Sequence, residues 1–192
     1  MTIIYVFTYI LPFRVAFRLE SLVVRACLYV NNFRSICKIS ENIHFSEKYS
    51  SPYQIGRKVT AVNISDIAAM GGKPSHFLVS LFLPEGTTEK FIDELYKGLT
   101  EEGNLYDIDI IGGNIAKSNQ FIIDLFLVGE VPCQNLLLRS GAKVGDLVLI
   151  TGNLGDSAAG LELLQNPKLN IPERDKKRLI FTVAINSVAF AL

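Results

Sequence analysis

Between Pro52 and Glu130 the chain alternates helix-period and strand-period segments, each closed by glycine or proline, and this punctuation restricts the fold more than any other feature. Pro52 opens the first segment. Ile55, Val59, Val62, Ile67 and Met70 then recur at roughly helical spacing, and Gly71-Gly72 supplies a left-handed stop, which predicts a helix over Gln54–Met70. His76–Leu83 is an apolar run bounded by Pro74 and Pro84, the pattern of a buried strand. A second helix follows. Thr87 or Thr88 caps it, Glu89 suits the dipole of its first turn, Phe91, Ile92, Leu95 and Leu99 mark one face, and it ends near Gly103. Asp107–Ile111 predicts a short strand stopped by Gly112-Gly113, and Phe121–Glu130 a longer one. Helix, strand, helix, strand, strand is an order compatible with an α+β domain.

Outside this stretch the signals thin out. Met1–Ile39 has neither a clean helical nor a clean alternating pattern. Val144–Thr151 predicts a strand, Gly155–Gln165 a helix with Asp156 or Ser157 at its N-cap, and Glu173–Arg178 a solvated helix face before an apolar tail. The 192 residues suit one domain with an ample core. Lys plus Arg and Asp plus Glu both number 19, so no electrostatic argument favours a nucleic-acid partner. Cys27, Cys37 and Cys133 form no disulfide or zinc pattern, which fits a reducing cytoplasm. The apolar start is broken by Pro12, Arg14, Arg18, Glu20 and Arg25 before the roughly 20 residues a membrane helix needs. Its arginines follow the apolar run instead of preceding it, unlike a signal peptide.

Few residues stand out chemically. Asp66, one turn after Asn63 and beside Ile64 and Ile67, fits either a ligand to a hard cation such as Mg²⁺ or a solvated aspartate. Gly112-Gly113-Asn114, placed after a strand, fits either a phosphate-approaching turn or an ordinary chain reversal. His44 fits a hydrogen bond to a substrate phosphate or a satisfied polar group, and Arg139 a forked phosphate contact or an exposed turn. Neither a P-loop nor a Gly-x-Gly-x-x-Gly loop occurs.

Five blocks in register resemble one family. Glu41-Asn42-Ile43-His44-Phe45 is similar to its Glu-Gly-Val-His-Phe, and Ala61-Val62-Asn63-Ile64-Ser65-Asp66-Ile67-Ala68-Ala69-Met70-Gly71 to its most recognisable block. Ile111-Gly112-Gly113-Asn114 resembles its Gly-Gly-Asp or Gly-Gly-Asn segment. Leu138-Arg139-Ser140-Gly141-Ala142-Lys143-Val144-Gly145-Asp146 resembles its Arg-Ser-Gly-Ala-Lys-x-Gly-Asp, and Thr151-Gly152 through Gly155-Asp156-Ser157-Ala158-Ala159-Gly160-Leu161 its Thr-Gly-x-x-Gly-Asp-Ser-x-x-Gly-Leu. The family is thiamine-monophosphate kinase, in the superfamily of aminoimidazole ribonucleotide synthetase and selenophosphate synthetase.

The resemblance implies transfer of the ATP γ-phosphoryl group to thiamine monophosphate, with Mg²⁺ neutralising charge between the phosphates. It implies the N-terminal domain of the aminoimidazole ribonucleotide synthetase-like fold, a mixed or antiparallel sheet with helices on one face, and a cytoplasmic homodimer holding ATP at its interface. Carried over, Asp66 is a Mg²⁺ ligand, His44 a substrate contact, and Tyr106, Gly113, Asn114 and Arg139 contacts to ATP or its metal. Residues 1–39 are then an unassigned segment, 40–150 an ATP-binding domain, and 151–192 the start of a C-terminal domain. Departures accompany the match: no Gly-Asp-Asp precedes Glu41, Cys37 stands where the family has an aspartate, and Lys177-Arg178-Leu179-Ile180 runs into Phe181-Thr182-Val183-Ala184 instead of Arg-His-Leu-x-Pro. The expectation is a truncated or frameshifted, impaired kinase. The alternatives are a non-catalytic nucleotide-binding or dimerising remnant and another ATP-dependent synthetase of the superfamily.

Overall fold

The computed structural model describes residues 3–5, 32–138, 140–149 and 153–184. Its centre is a four-stranded sheet in the order β2-β5-β3-β4, formed by β2 (Asn32–Ser40), β5 (Ile122–Glu130), β3 (Lys73–Leu83) and β4 (Asp109–Lys117). The first two pairings are antiparallel and β3 with β4 is parallel, so the sheet is mixed. Helices α1 (Pro52–Ala69) and α2 (Glu89–Asn104) cover one face. A short parallel pair, β1 (Ile3–Tyr5) with β6 (Leu147–Leu149), forms a separate two-stranded sheet. Helices α3 (Asp156–Gln165) and α4 (Glu173–Ala184) pack on each other.

Local chemistry explains the helix ends. Ser51 caps α1: its hydroxyl accepts from the Gln54 N–H at 3.3 Å, and the Ser51 N–H donates to Gln54 Oε1 at 2.8 Å, a reciprocal capping box followed by Pro52. The helix stops where Gly71 takes a φ of 75°, with its N–H on the Ala68 carbonyl at 2.9 Å. Thr88 caps α2 by accepting from the Phe91 N–H at 3.2 Å. Helix α3 differs from expectation, since its N-cap is Gly155, with neither Asp156 nor Ser157 in that role.

The core forms between the sheet and the two helices. Phe77, Val79 and Leu81 from β3 and Ile123, Leu125 and Leu127 from β5 are fully buried against Ile55, Val59 and Ile67 of α1 and Leu95 and Leu99 of α2. Glycine sets the distance between the helices. A Cβ at Gly56 would stand 2.2 Å from the Leu95 carbonyl oxygen, and one at Gly98 2.1 Å from that of Tyr53. Arg57 and Glu102 cross the same interface, with the guanidinium Nε and Nη2 at 2.8 and 2.7 Å from one oxygen of a carboxylate that is 3% exposed.

Two strands depart from the sequence pattern. β2 lies almost wholly in the stretch where no pattern is legible, because its alternation is inverted. Ser35, Cys37 and Ile39 face the helices, while Ile36 faces away and is 65% exposed. β4 continues through Gly112-Gly113 to Lys117, so these glycines make no turn. Ile111 is a bulged extra residue, after which Gly112 pairs with Leu78 and Gly113 with Val79. The strands run so close that a Cβ on Gly113 would fall 1.8 Å from the Val79 carbonyl oxygen.

Replacing Gly98 by alanine is expected to force α1 and α2 apart and destabilise the fold by roughly 1–3 kcal/mol. Thermal unfolding followed by circular dichroism should therefore move down by several degrees relative to the parent chain. A Gly86→Ala control, with nothing within 4 Å of the new methyl but a φ of 88°, should register only its local backbone strain.

Candidate functional site

Helix α1 turns two charged side chains, Lys58 and Asp66, toward β2. Lys58, Val62 and Asp66 are spaced i, i+4, i+8 and so lie on one side. At its far end the Ser35 hydroxyl lies 3.0 Å from Asp66 Oδ2 and 3.1 Å from Asn63 Oδ1. With one proton to donate, it favours the charged oxygen. Asn63 is fully buried and donates its amide to the Val59 carbonyl at 2.9 Å.

Cys37, two residues along β2, belongs to the same cluster. Burial pushes its thiol up to about 11, with the charges of Asp66 and then Asp124 acting in the same direction and Lys58 opposing them. At neutral pH it is a neutral group beside a carboxylate.

The tight turn Ser40–Phe45 presents His44. Asn42 takes a φ of 60°, its N–H donates to the Phe45 carbonyl at 2.7 Å, and Phe45 is buried edge-on against Phe121 at a centroid distance of 5.4 Å. The Ser40 N–H donates to His44 Nδ1 at 3.1 Å, which leaves the ring proton of the neutral form on Nε2. Burial and the neighbouring Lys58 lower the His44 pKa, so the ring is neutral at pH 7. Lys58 Nζ donates to the His44 carbonyl at 2.9 Å, fastening the turn to α1.

The other site residues lie apart from this cluster. Tyr106 follows α2, half-buried, its hydroxyl pKa raised by burial and then by Glu102, with Arg57 opposing. Gly113 and Asn114 lie on β4, at the sheet edge opposite β2. Three strand spacings of about 4.8 Å put the two edges roughly 14 Å apart. The turn expected at Gly112-Gly113-Asn114 is therefore corrected to an edge strand, and any phosphate there would meet a strand backbone. Arg139 lies outside the described residues.

On the sheet face away from the helices, Asn114, Ser80, Asp124 and Lys38 form one polar row across all four strands. Apolar side chains flank it, including Ile36 and the 37% exposed Leu78. Asp124 Oδ1 is buried there without a hydrogen-bond partner.

Among the described residues no group of three or more His, Cys, Asp or Glu side chains converges to hold a metal ion. Asp66 is one carboxylate with a hydroxyl and a neutral thiol as neighbours, so the residues described do not by themselves fit a Mg²⁺ site. Sequence reasoning missed Ser35, Lys58 and Asp124. The i, i+4, i+8 spacing of Lys58 and Asp66 was a usable signal; Ser35 and Asp124 gave none without the strand pairing.

Residues 35–131 match the family described as AIR synthase related protein, N-terminal domain. The chain is 45% identical over 139 residues to a thiamine-monophosphate kinase of Bacillus subtilis, covering 70% of this chain and 43% of that protein. It is 42% identical over 126 residues to the thiamine-monophosphate kinase of Aquifex aeolicus, covering 66% and 40%. Among solved structures, thiamine monophosphate kinase from Aquifex aeolicus superposes with a TM-score of 0.69 at 33% identity, covering 84% of this chain and 57% of that one. A structure described as AaThiL complexed with AMPPCP and TMP gives a TM-score of 0.75 at 31% identity, covering 90% and 59%. The chain thus spans less than half the length of these curated relatives. No helix among the described residues is long and apolar enough to cross a membrane.

A thiol with its pKa near 11 is almost entirely protonated at pH 8. Iodoacetamide at that pH should label Cys37 in the folded chain about a hundredfold more slowly than in the urea-unfolded chain, while exposed Cys133 reacts at similar rates in both states. Peptide mass spectrometry of timed samples reads both sites.

Proposed function

We propose, on the premise that the chain belongs to the AIR synthase related family through its N-terminal domain, that the activity it is built for is ATP-dependent phosphorylation of thiamine monophosphate. The observation that carries this reading is the 45% identity over 139 residues to a thiamine-monophosphate kinase, beside a family match over residues 35–131, the stretch that folds into the sheet, α1 and α2. In the reaction a phosphate oxygen of thiamine monophosphate attacks the γ-phosphorus of ATP. The bond to the β–γ bridging oxygen breaks with its electron pair, and ADP and thiamine diphosphate result, with no covalent enzyme intermediate. His44 contacts the substrate phosphate, and Tyr106, Gly113, Asn114 and Arg139 contact ATP. Asp66 is the one described carboxylate assigned to Mg²⁺, and no step is routed through that ion, because its ligand set is incomplete on the described residues.

A homodimer supports this arrangement. His44 follows one edge strand, Gly113 and Asn114 lie on the other, and the apolar outer face between them suits a second copy, with ATP at the junction. Residues 40–150 then act as the ATP-binding domain and 151–192 as the start of a C-terminal domain, in a cytoplasmic protein.

One observation favours a second reading, a non-catalytic nucleotide-binding or dimerising remnant. Cys37 brings no charge beside Asp66. A metal ion contributes several kcal/mol to such a transition state, so this chain should form thiamine diphosphate on the order of a thousandfold more slowly than an intact relative. Chromatographic detection of thiamine diphosphate from ATP, Mg²⁺ and thiamine monophosphate tests this, and turnover near that of the relative would sink the impaired reading.

Cys37→Asp sharpens the test. A second carboxylate beside Asp66 should lower the melting temperature in chelator through like-charge repulsion and make it rise with added Mg²⁺, whereas the parent chain should show little response to Mg²⁺. The absence of a Mg²⁺ response in both chains would count against a cation site at Asp66.

A further inference from the structure

Helices α1 and α2 are tied by an ion pair that is buried on its acidic side. Arg57 Nε and Nη2 stand 2.8 and 2.7 Å from Glu102 Oε2, and the Glu102 side chain is 3% exposed. The other two ion pairs among the described residues leave their carboxylates more open, at 84% and 19% exposure. A carboxylate so enclosed depends on its cation, because removing the partner strands a charge that water does not reach. The guanidinium is itself held in place, its Cζ lying 5.9 Å from the centroid of the Tyr53 ring. Arg57 is thus a fixed donor, and Glu102 the group that needs it.

Glu102 sits in the last turn of α2, and Tyr106 follows it at i+4. The carbonyl of the next residue, Gly103, accepts from the Tyr106 N–H at 2.9 Å and from the Ile108 N–H at 3.1 Å, so one peptide group gathers the turn that carries the phenol. That turn is tightly packed: a Cβ on Gly103 would stand 3.0 Å from the Ile108 carbonyl oxygen and 3.2 Å from the Phe77 ring. Tyr106 packs half-buried against the core beside it. Burial raises its hydroxyl pKa most, then Glu102, with Arg57 opposing, so both members of the pair are near enough to act on the phenol. The end of a helix opens at least cost, because its last carbonyls lack intrahelical partners. With Arg57 gone, Glu102 reaches water most easily by unwinding that end, and Tyr106 moves with it.

We propose that Arg57 is a positioning residue for the nucleotide, acting through Glu102 to keep the end of α2 closed and the Tyr106 phenol in place for ATP. That Tyr106 meets ATP rests on the function proposed above; the hold of Arg57 on the turn does not. Arg57 lies on α1 and acts on the phenol from across the helix interface. Because both of its donors meet a single oxygen, an ammonium can stand in for the guanidinium, whereas a methionine fills the space and strands the carboxylate. Neutralising Glu102 in the same chain removes the stranded charge, so Glu102→Gln should repair what Arg57→Met breaks.

Tyrosine ring NMR signals of the 192-residue chain, assigned with Tyr106→Phe, are followed during titration with ATP in the presence of Mg²⁺, with Tyr96 on the same helix as the control. Hydrogen exchange of the Tyr106 and Ile108 amides is read on the same samples. In the parent chain the Tyr106 signal should shift and saturate while Tyr96 stays still. In Arg57→Met the half-saturating ATP concentration should rise about tenfold, as for a turn closed about a tenth of the time. The two amides should then exchange at least about tenfold faster, while those of Leu95 and Leu99 in mid-helix keep the parent rate. Arg57→Lys and the double variant Arg57→Met with Glu102→Gln should both bind ATP within about threefold of the parent. Arg57→Gln replaces Arg57→Met if the latter fails to fold by circular dichroism. Unchanged ATP saturation in the folded Met or Gln variant overturns the proposal, as does equal weakening in the double variant. If Tyr106 of the parent chain ignores ATP, the nucleotide role falls with the reading it rests on, and faster Tyr106 and Ile108 exchange in Arg57→Met still shows Arg57 holding the turn.

Discussion

The backbone contact between α1 and α2 at Gly56 and Gly98 is the constraint on which the rest of the domain depends. Each glycine sits against a carbonyl oxygen of the other helix closely enough that any side chain must displace it. That approach fixes the tilt of α1 over the sheet. The tilt brings Asp66 to Ser35, Lys58 to the His44 turn, and Arg57 to Glu102. Ile55, Val59 and Ile67 meet β3 and β5 through the same placement, so one helix organises both the core and the polar cluster.

The division of chemistry across the sheet follows from strand order. β2 and β4 are its two edges, with β5 and β3 between them. His44 follows the β2 edge, whereas Gly113 and Asn114 lie on the β4 edge, too far apart for one phosphate to touch both within a single copy. The apolar outer face, crossed by a polar row holding an unpartnered Asp124 oxygen, is where a second sheet would close that gap.

The elements from α1 to β5 were legible because their signals are local: a serine and a proline at a helix start, glycines at its stop, and an apolar run between two prolines. Three features were not. β2 hides its alternation because a serine and a cysteine face inward and Ile36 faces outward, so hydropathy points the wrong way. The glycines of β4 read as a turn because their reason is a neighbouring strand, which a single sequence does not display. The pairing of Ser35 with Asp66 spans 31 residues and depends on how α1 lies on the sheet. Asp66 and His44 were legible as candidates by type and by resemblance, while Lys58, which joins α1 to the His44 turn, drew no notice as one more lysine in a helix.

The bulge at Ile111 acts as a phase shift in the numbering of β4. Ile110 pairs with inward-facing Phe77, yet Gly112, two residues later, pairs with outward-facing Leu78, and Asn114 consequently aligns with Ser80 in the outer row. Paired without a bulge, the same residues would set Ile111 opposite Leu78 and Asn114 opposite Leu81, turning its amide into the apolar layer beneath the helices. Everything from Gly112 to Lys117 owes its side of the sheet to that bulge, so the same letters paired without it would present the opposite surface.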